Sequence, residues 1–299
     1  ERSLGLFICG GKGKTSRKTP EEIKNWAEVL SLPSYSADKL IYNSRMSAKV
    51  DSCLVQDGFQ IYHHSFFFSK NGRWAVVQQG MNTLNQTARR YHWYSDNLTD
   101  LVCEPHSGII SDIKTPTLNL VARESQKTRL LSTQLVQGNP KSLLNDLKII
   151  RKHYSKLSQV ISFKIKDRQY TFLNLENKEF LYHPVLEEDF LYNNRYLNKI
   201  IHRLCEIKPS NYESLLAQEG VGPKTIRALS LVSEVIYGAN PSYEDPARYS
   251  FAHGGKDSTP YPVDRKTYDY TISFFSKVVE KMKISFYEKN SILNRLLIK

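Results

Sequence analysis

The stretch Glu219-Gly220-Val221-Gly222-Pro223-Lys224-Thr225 sets two glycines and a proline between two helical patterns, which demands a tight corner between packed helices. The first helix is expected to begin at Ser210-Asn211-Tyr212-Glu213, with a capping box between the Ser210 hydroxyl and the Glu213 carboxylate. Tyr212, Leu215 and Leu216 fall on its apolar face. The second is predicted from about Pro223 to Tyr237, with Ile226, Leu229, Val232, Val235 and Ile236 at helical spacing and Gly238 as its stop. Gly220 and Gly222 let the backbone turn and come close to a ligand. The N–H groups that open the second helix lie at its positive dipole end, which suits a phosphate.

Charge points the same way. Lysine and arginine exceed the acidic residues to give a net charge of +12 over 299 residues, a balance that favours a polyanionic partner, with nucleic acid first. That length accommodates two domains, and 40% hydrophobic content supports a folded core. No apolar run reaches the ~18 residues of a membrane span, and Glu1-Arg2-Ser3-Leu4 does not open a signal peptide. A cytoplasmic, nucleoid-associated protein with no membrane partner is expected. The four cysteines, Cys9, Cys53, Cys103 and Cys205, form no C-x-x-C pair, which argues against a zinc or iron–sulfur site and for buried free thiols. No cofactor and no metal are expected.

Along the chain, residues 4–9 read as a buried strand running into Gly10-Gly11-Lys12-Gly13-Lys14-Thr15. This is not a nucleotide-binding P-loop, because Ile8 stands where the pattern needs glycine; a loop whose Lys12 touches DNA phosphates fits better. Thr19-Pro20-Glu21-Glu22 starts a helix to Leu30, and residues 34–46 are polar and Tyr-rich without a strong period. Phe59 to Phe68 and Arg73 to Gln79 flank Asn71-Gly72 as a β-hairpin. Gln78-Gln79 and Arg89-Arg90-Tyr91-His92-Trp93 supply the amides, guanidinium groups and aromatics that base contacts, phosphate grip and stacking require, or else an ordinary basic face with an aromatic anchor. Asp51, Asp57, His63 and His64 raise a metal-dependent nuclease as an alternative, although adjacent histidines on a strand face opposite sides. Residues 96–140 look irregular, and Gly138-Asn139-Pro140 is taken as a domain boundary. Leu143, Leu147, Ile150, Tyr154 and Leu157 then form one helical stripe; a small hairpin at 160–175, a helix at 193–205 and closing helices at 268–282 and 291–297 follow.

The segment from Leu216 to Leu229 resembles a helix-hairpin-helix DNA-binding motif, which grips the backbone without reading sequence. More narrowly, Gly220-Val221-Gly222-Pro223-Lys224-Thr225, followed by Tyr261-Pro262-Val263-Asp264-Arg265, is similar to the helix-hairpin-helix DNA glycosylases of the endonuclease III type. That resemblance implies Lys224 as the nucleophile forming a Schiff base with the sugar, and Asp264 as the carboxylate supporting base expulsion. A phosphate-binding Lys224 and an N-capping Asp264 are the plainer readings. Over nearly the whole chain, Cys9-Gly10-Gly11-Lys12-Gly13, Trp74 to Met81, Ala88 to Trp93 and Ser250-Phe251-Ala252-His253-Gly254-Gly255-Lys256-Asp257 resemble a mostly archaeal family, domain-of-unknown-function family 763. Its members carry sequence before the Gly-Gly-Lys-Gly segment, which implies a missing N-terminal segment or a partner chain.

Together these observations predict an α+β chain: a β-containing N-terminal domain (1–140), DNA-contacting or catalytic, then a mainly helical domain (141–299) with a helix-hairpin-helix motif. The expected function is DNA repair by a base-excision glycosylase with an AP-lyase step, Lys224 and Asp264 being catalytic. Gly220, Val221, Gly222, Thr225, Lys12, Arg89, Arg90, His253 and Lys256 would contact DNA, and Asp257 would line the same cleft. The alternatives are a metal-dependent nuclease with the hairpin as handle, or a DNA-binding protein without catalysis.

Overall fold

A computed structural model describes residues 5–82, 87–111, 114–165, 168–175, 183–186, 195–247 and 265–297. The fold is α+β, an N-terminal antiparallel sheet followed by a helical region. Five strands, β1 (Leu6–Lys12), β3 (Gln60–Ser69), β4 (Trp74–Asn82), β5 (Thr87–Tyr94) and β6 (Gly108–Ser111), lie side by side in that order. A short pair, β2 (Val55–Gln56) with β7 (Leu118–Asn119), stands apart. The β3–β4 hairpin turns at Asn71-Gly72 as expected, with Gly72 at φ 81°, a conformation glycine adopts without steric cost.

Alternation along the strands gives the sheet two unlike faces. Phe66, Phe68, Trp74, Val76, Tyr91 and Trp93 point inward and are buried. Phe66 stacks on Trp74 at 5.6 Å, and Phe7 of β1 meets Phe68 at 5.3 Å. Helix α1 (Thr19–Val29), with Pro20 in its first turn, brings Trp26 to within 5.1 Å of Phe7.

Helix α2 (Ser34–Cys53) packs against β3 and β4, spans the whole of the segment 34–46 that the sequence left without a period, and continues beyond it. Its buried face explains the omission. Alongside Leu40, Met46 and Val50 it carries Asn43, Ser44, Ser47 and Asp51, so the apolar repeat is broken where the helix is most enclosed.

The region expected to be irregular up to Pro140 holds β6, β7 and a regular helix, α3 (Gln126–Gln137). Gly138-Asn139 links α3 to α4 (Pro140–Leu157), and one cluster of buried apolar side chains continues across it from the sheet to Leu143, Leu147 and Ile150. Strands β8 (Ser158–Ile165), β9 (Arg168–Leu175) and β10 (His183–Leu186) form a separate three-stranded sheet, which contains the predicted small hairpin. Helices α5 (Arg195–Ile207), α6 (Tyr212–Ala217) and α7 (Pro223–Val235) pack with α3, and α8 (Arg265–Lys281) packs with α9 (Phe286–Leu297).

After α7 the chain returns to the N-terminal layers. Asn119 N–H donates to the Ser242 carbonyl at 2.9 Å, and the Thr115 N–H donates to Asp245 at 2.8 Å. Among the described residues no helix is long and apolar enough to cross a membrane. Cys9, Cys53 and Cys205 are buried free thiols, whereas Cys103 is only half-buried.

Candidate nucleic-acid interface

The turn between α6 and α7 is built from both directions. The cap of α6 sits one residue later than the sequence implied. Asn211, not Ser210, accepts from the Ser214 N–H at 2.7 Å, while the Ser214 hydroxyl accepts from the Asn211 N–H at 3.1 Å. Glu213 instead accepts from the Tyr42 hydroxyl of α2 at 2.6 Å. At the other end of α6 the Lys49 ammonium, also from α2, donates to the carbonyls of Leu216 and Gln218, both at 2.5 Å. That cation completes the helix end where carbonyls lack intrahelical partners. Burial lowers the Lys49 pKa.

The two glycines play different parts. Gly220 has φ +82°, which favours glycine, and a Cβ there would lie 2.5 Å from Ile200 Cδ1 of α5, so that side chain would have to shift. The Tyr196 hydroxyl donates to its carbonyl at 3.1 Å. Gly222, the N-cap of α7, has φ −137°, and a Cβ there would have nothing within 4 Å. Neither conformation nor packing requires glycine at 222. Val221, Thr225 and Ile226 anchor the turn in the core, while Pro223 and Lys224 are exposed. Gln56 Nε2 donates to the Pro223 carbonyl at 3.1 Å and its Oε1 accepts from Arg227 Nε at 2.7 Å, fixing the start of α7 on the N-terminal layers. Arg203 of α5 lies 3.7 Å from exposed Glu219, offsetting the one carboxylate in the turn.

Gly220, Val221, Gly222, Lys224 and Thr225 therefore share this corner. Lys12 and Arg90 do not; both are exposed on the outer face of the sheet, where Lys12, His63, Gln79 and Arg90 are successive cross-strand partners. Arg89 must be corrected. It points inward and is fully buried, donating to Asp57 at 2.8 Å and to Asp245 at 2.7 Å with its guanidinium 4.6 Å from the Phe59 ring, so it presents no charge to a ligand. His253, Lys256, Asp257 and Asp264 lie outside the described residues.

The candidate metal residues are spent internally. Asp51 accepts from Trp93 Nε1 at 3.1 Å, from His106 Nε2 at 2.5 Å and from the Gln78 amide. Gln78 Oε1 lies 3.0 Å from His64 Nδ1, and His64 Nε2 lies 2.9 Å from the Ser44 hydroxyl. Burial lowers the His64 pKa. Asp57, held by Arg89, the Tyr91 hydroxyl at 2.6 Å and the Phe59 N–H, is raised by burial to about 6 despite those donors. Half-buried His63 pairs with Ser65 instead. No group of three potential metal ligands occurs among the described residues. Sequence reading missed Lys49, His106 and Asp245, single residues far along the chain from the groups they serve.

The profile of a family described as a protein of unknown function (DUF763) matches residues 1–263. No curated protein and no solved structure matches the chain.

Proposed function

This chain belongs to the DUF763 family, and we propose that it is a DNA-repair protein that holds the phosphate backbone at the corner between α6 and α7. The observation that carries the proposal is Gly222: a glycine with ordinary φ, open surroundings and no need for its own flexibility, set at the N-cap of a 13-residue helix. Serine or asparagine would cap that helix better, whereas glycine alone leaves the backbone bare to an approaching phosphate. The positive end of α7, exposed Lys224 and a net charge of +12 supply the attraction. We read the corner as a helix-hairpin-helix.

In its enzymatic form the proposal is base excision. The Lys224 amine, as free base, attacks C1′ of a flipped damaged nucleotide. The base departs with the glycosidic electron pair and takes a proton from Nζ, leaving an N-glycoside. The nitrogen lone pair then expels O4′, which is protonated by water as the C1′–O4′ bond breaks, and the opened sugar is held as an iminium on Nζ. Asp264 supplies the carboxylate that stabilises positive charge on the sugar. Lys224 in the described state is solvent-exposed and fits a phosphate directly; the excision step requires DNA to enclose it and displace water.

Borohydride trapping on duplexes with single defined lesions, without added metal, tests this. A covalent adduct formed by wild type, slower to form in Asp264→Asn and absent from Lys224→Ala supports the lyase, its nucleophile and its carboxylate. Base release without an adduct leaves a glycosylase whose Lys224 binds phosphate. Duplex binding without product on any lesion leaves the grip and removes the excision chemistry.

A further inference from the structure

The outer face of the five-stranded sheet is organised in rows. Ile8, Phe67, Ala75 and Tyr94 are successive cross-strand partners in one row, Gly10, Ser65, Val77 and His92 in the next, and Lys12, His63, Gln79 and Arg90 in the third. These side chains are opposite to the buried face, and none of them is buried; Ile8 is 55% and Tyr94 40% exposed. One end of the face is thus apolar and aromatic, the other cationic, with Gly10, Ser65, Val77 and His92 between.

The strands themselves carry charge of one sign, and the carboxylate of Glu22 on α1 meets β1 by accepting from the Gly10 N–H at 2.6 Å. No aspartate or glutamate occurs in β1, β3, β4, β5 or β6. Asp96, beside the aromatic end, is engaged by Arg73 at 3.4 Å and by the Tyr94 hydroxyl at 3.0 Å. At the cationic end the Lys12 ammonium lies 6.0 Å from the Tyr62 ring centroid. By strand geometry Lys12 and Arg90 stand about 14 Å apart across the sheet, and the aromatic row lies about 13 Å along the strands from them. A protein partner would meet an apolar patch beside unmatched positive charge. A single nucleic-acid strand matches both ends, its phosphates against the cations and its bases against the rings.

We infer that this face is a platform for single-stranded DNA, with Lys12 and Arg90 neutralising phosphates and Tyr94 and Phe67 offering rings for stacking. The platform is separate from the α6–α7 corner and does not depend on it. It gives the sheet a role that the buried polar residues behind it cannot fill.

The test is fluorescence anisotropy of the whole chain with a labelled oligo-dT of about 15 nucleotides, long enough to span the face. The variants are Lys12→Glu/Arg90→Glu, Tyr94→Leu and Lys224→Glu, with thermal melts showing that each remains folded. Arg90→Gln serves as the milder change. The expected result is at least tenfold weaker binding for the charge-reversal pair and at least about fivefold for Tyr94→Leu, the lower end of one lost stack. Lys224→Glu reports whether the strand is held at the corner instead. Neutralising both cations (Lys12→Gln/Arg90→Gln) should flatten the salt slope by about 1.4, for two phosphates on a single strand. Absence of wild-type binding overturns the platform, as does unchanged affinity in both surface variants. Loss confined to Lys224→Glu places the strand on the corner instead. A concentration-dependent dimer that Tyr94→Leu abolishes, without oligo-dT binding, gives the face to a second copy and overturns the proposal equally.

Discussion

Arg89 and Arg90 show how much one position in a strand decides. They are adjacent and chemically identical, yet Arg89 lies in the core between two carboxylates while Arg90 stands in solvent. The pattern Arg-Arg-Tyr-His-Trp contains the alternation, but it becomes visible only once β5 is known to be a strand rather than a basic helix face. The partners were not legible at all, since Asp57 and Asp245 lie 32 and 156 residues away in sequence. Arg89→Met should destabilise the protein by about 3–5 kcal/mol in urea unfolding, because two buried carboxylates lose their cation. Arg90→Met should change stability by less than about 0.5 kcal/mol, as expected of an exposed position.

Among the elements, α7 and the β3–β4 hairpin were readable because apolar period, proline, glycine and turn residues agreed. Helix α2 was not, because Ser44, Ser47 and Asp51 occupy its buried face and serve the polar network with His64, Gln78 and His106. That network carries a pH signature. Burial holds the folded-state pKa of His64 below its usual 6.5, so as pH falls the unfolded chain takes up the proton first and the folded state loses stability. Asp57, raised to about 6, acts in the opposite sense by keeping its proton in the folded state to a higher pH. Comparing wild type with His64→Gln isolates the histidine: between about pH 7 and 5.5 the wild-type melting temperature should fall more steeply than that of the variant. At the α6–α7 corner, Gly220→Ala should lower the melting temperature markedly, because φ +82° and Ile200 at 2.5 Å both oppose a Cβ. A drop no larger than that of an exposed helix substitution would contradict this account of the turn.

At the scale of the whole molecule, the corner is not an appendage. Lys49 and Tyr42 of α2, Gln56 of β2 and the returning segment with Ser242 and Asp245 tie it to the layers built on the sheet. Composition raises the expectation of a polyanionic partner, and the glycine spacing located the corner; the ties that orient it depend on tertiary contacts that no local pattern records. The most direct test of the backbone grip is duplex binding by wild type, Gly222→Ser and Lys224→Glu across a salt titration. Serine at the N-cap should hold or raise the melting temperature. Gly222→Ser should be as stable as wild type yet bind duplex at least tenfold more weakly, with Lys224→Glu weakened further and its salt slope reduced in magnitude by about 1. Duplex affinity equal to wild type in both folded variants would contradict the backbone grip.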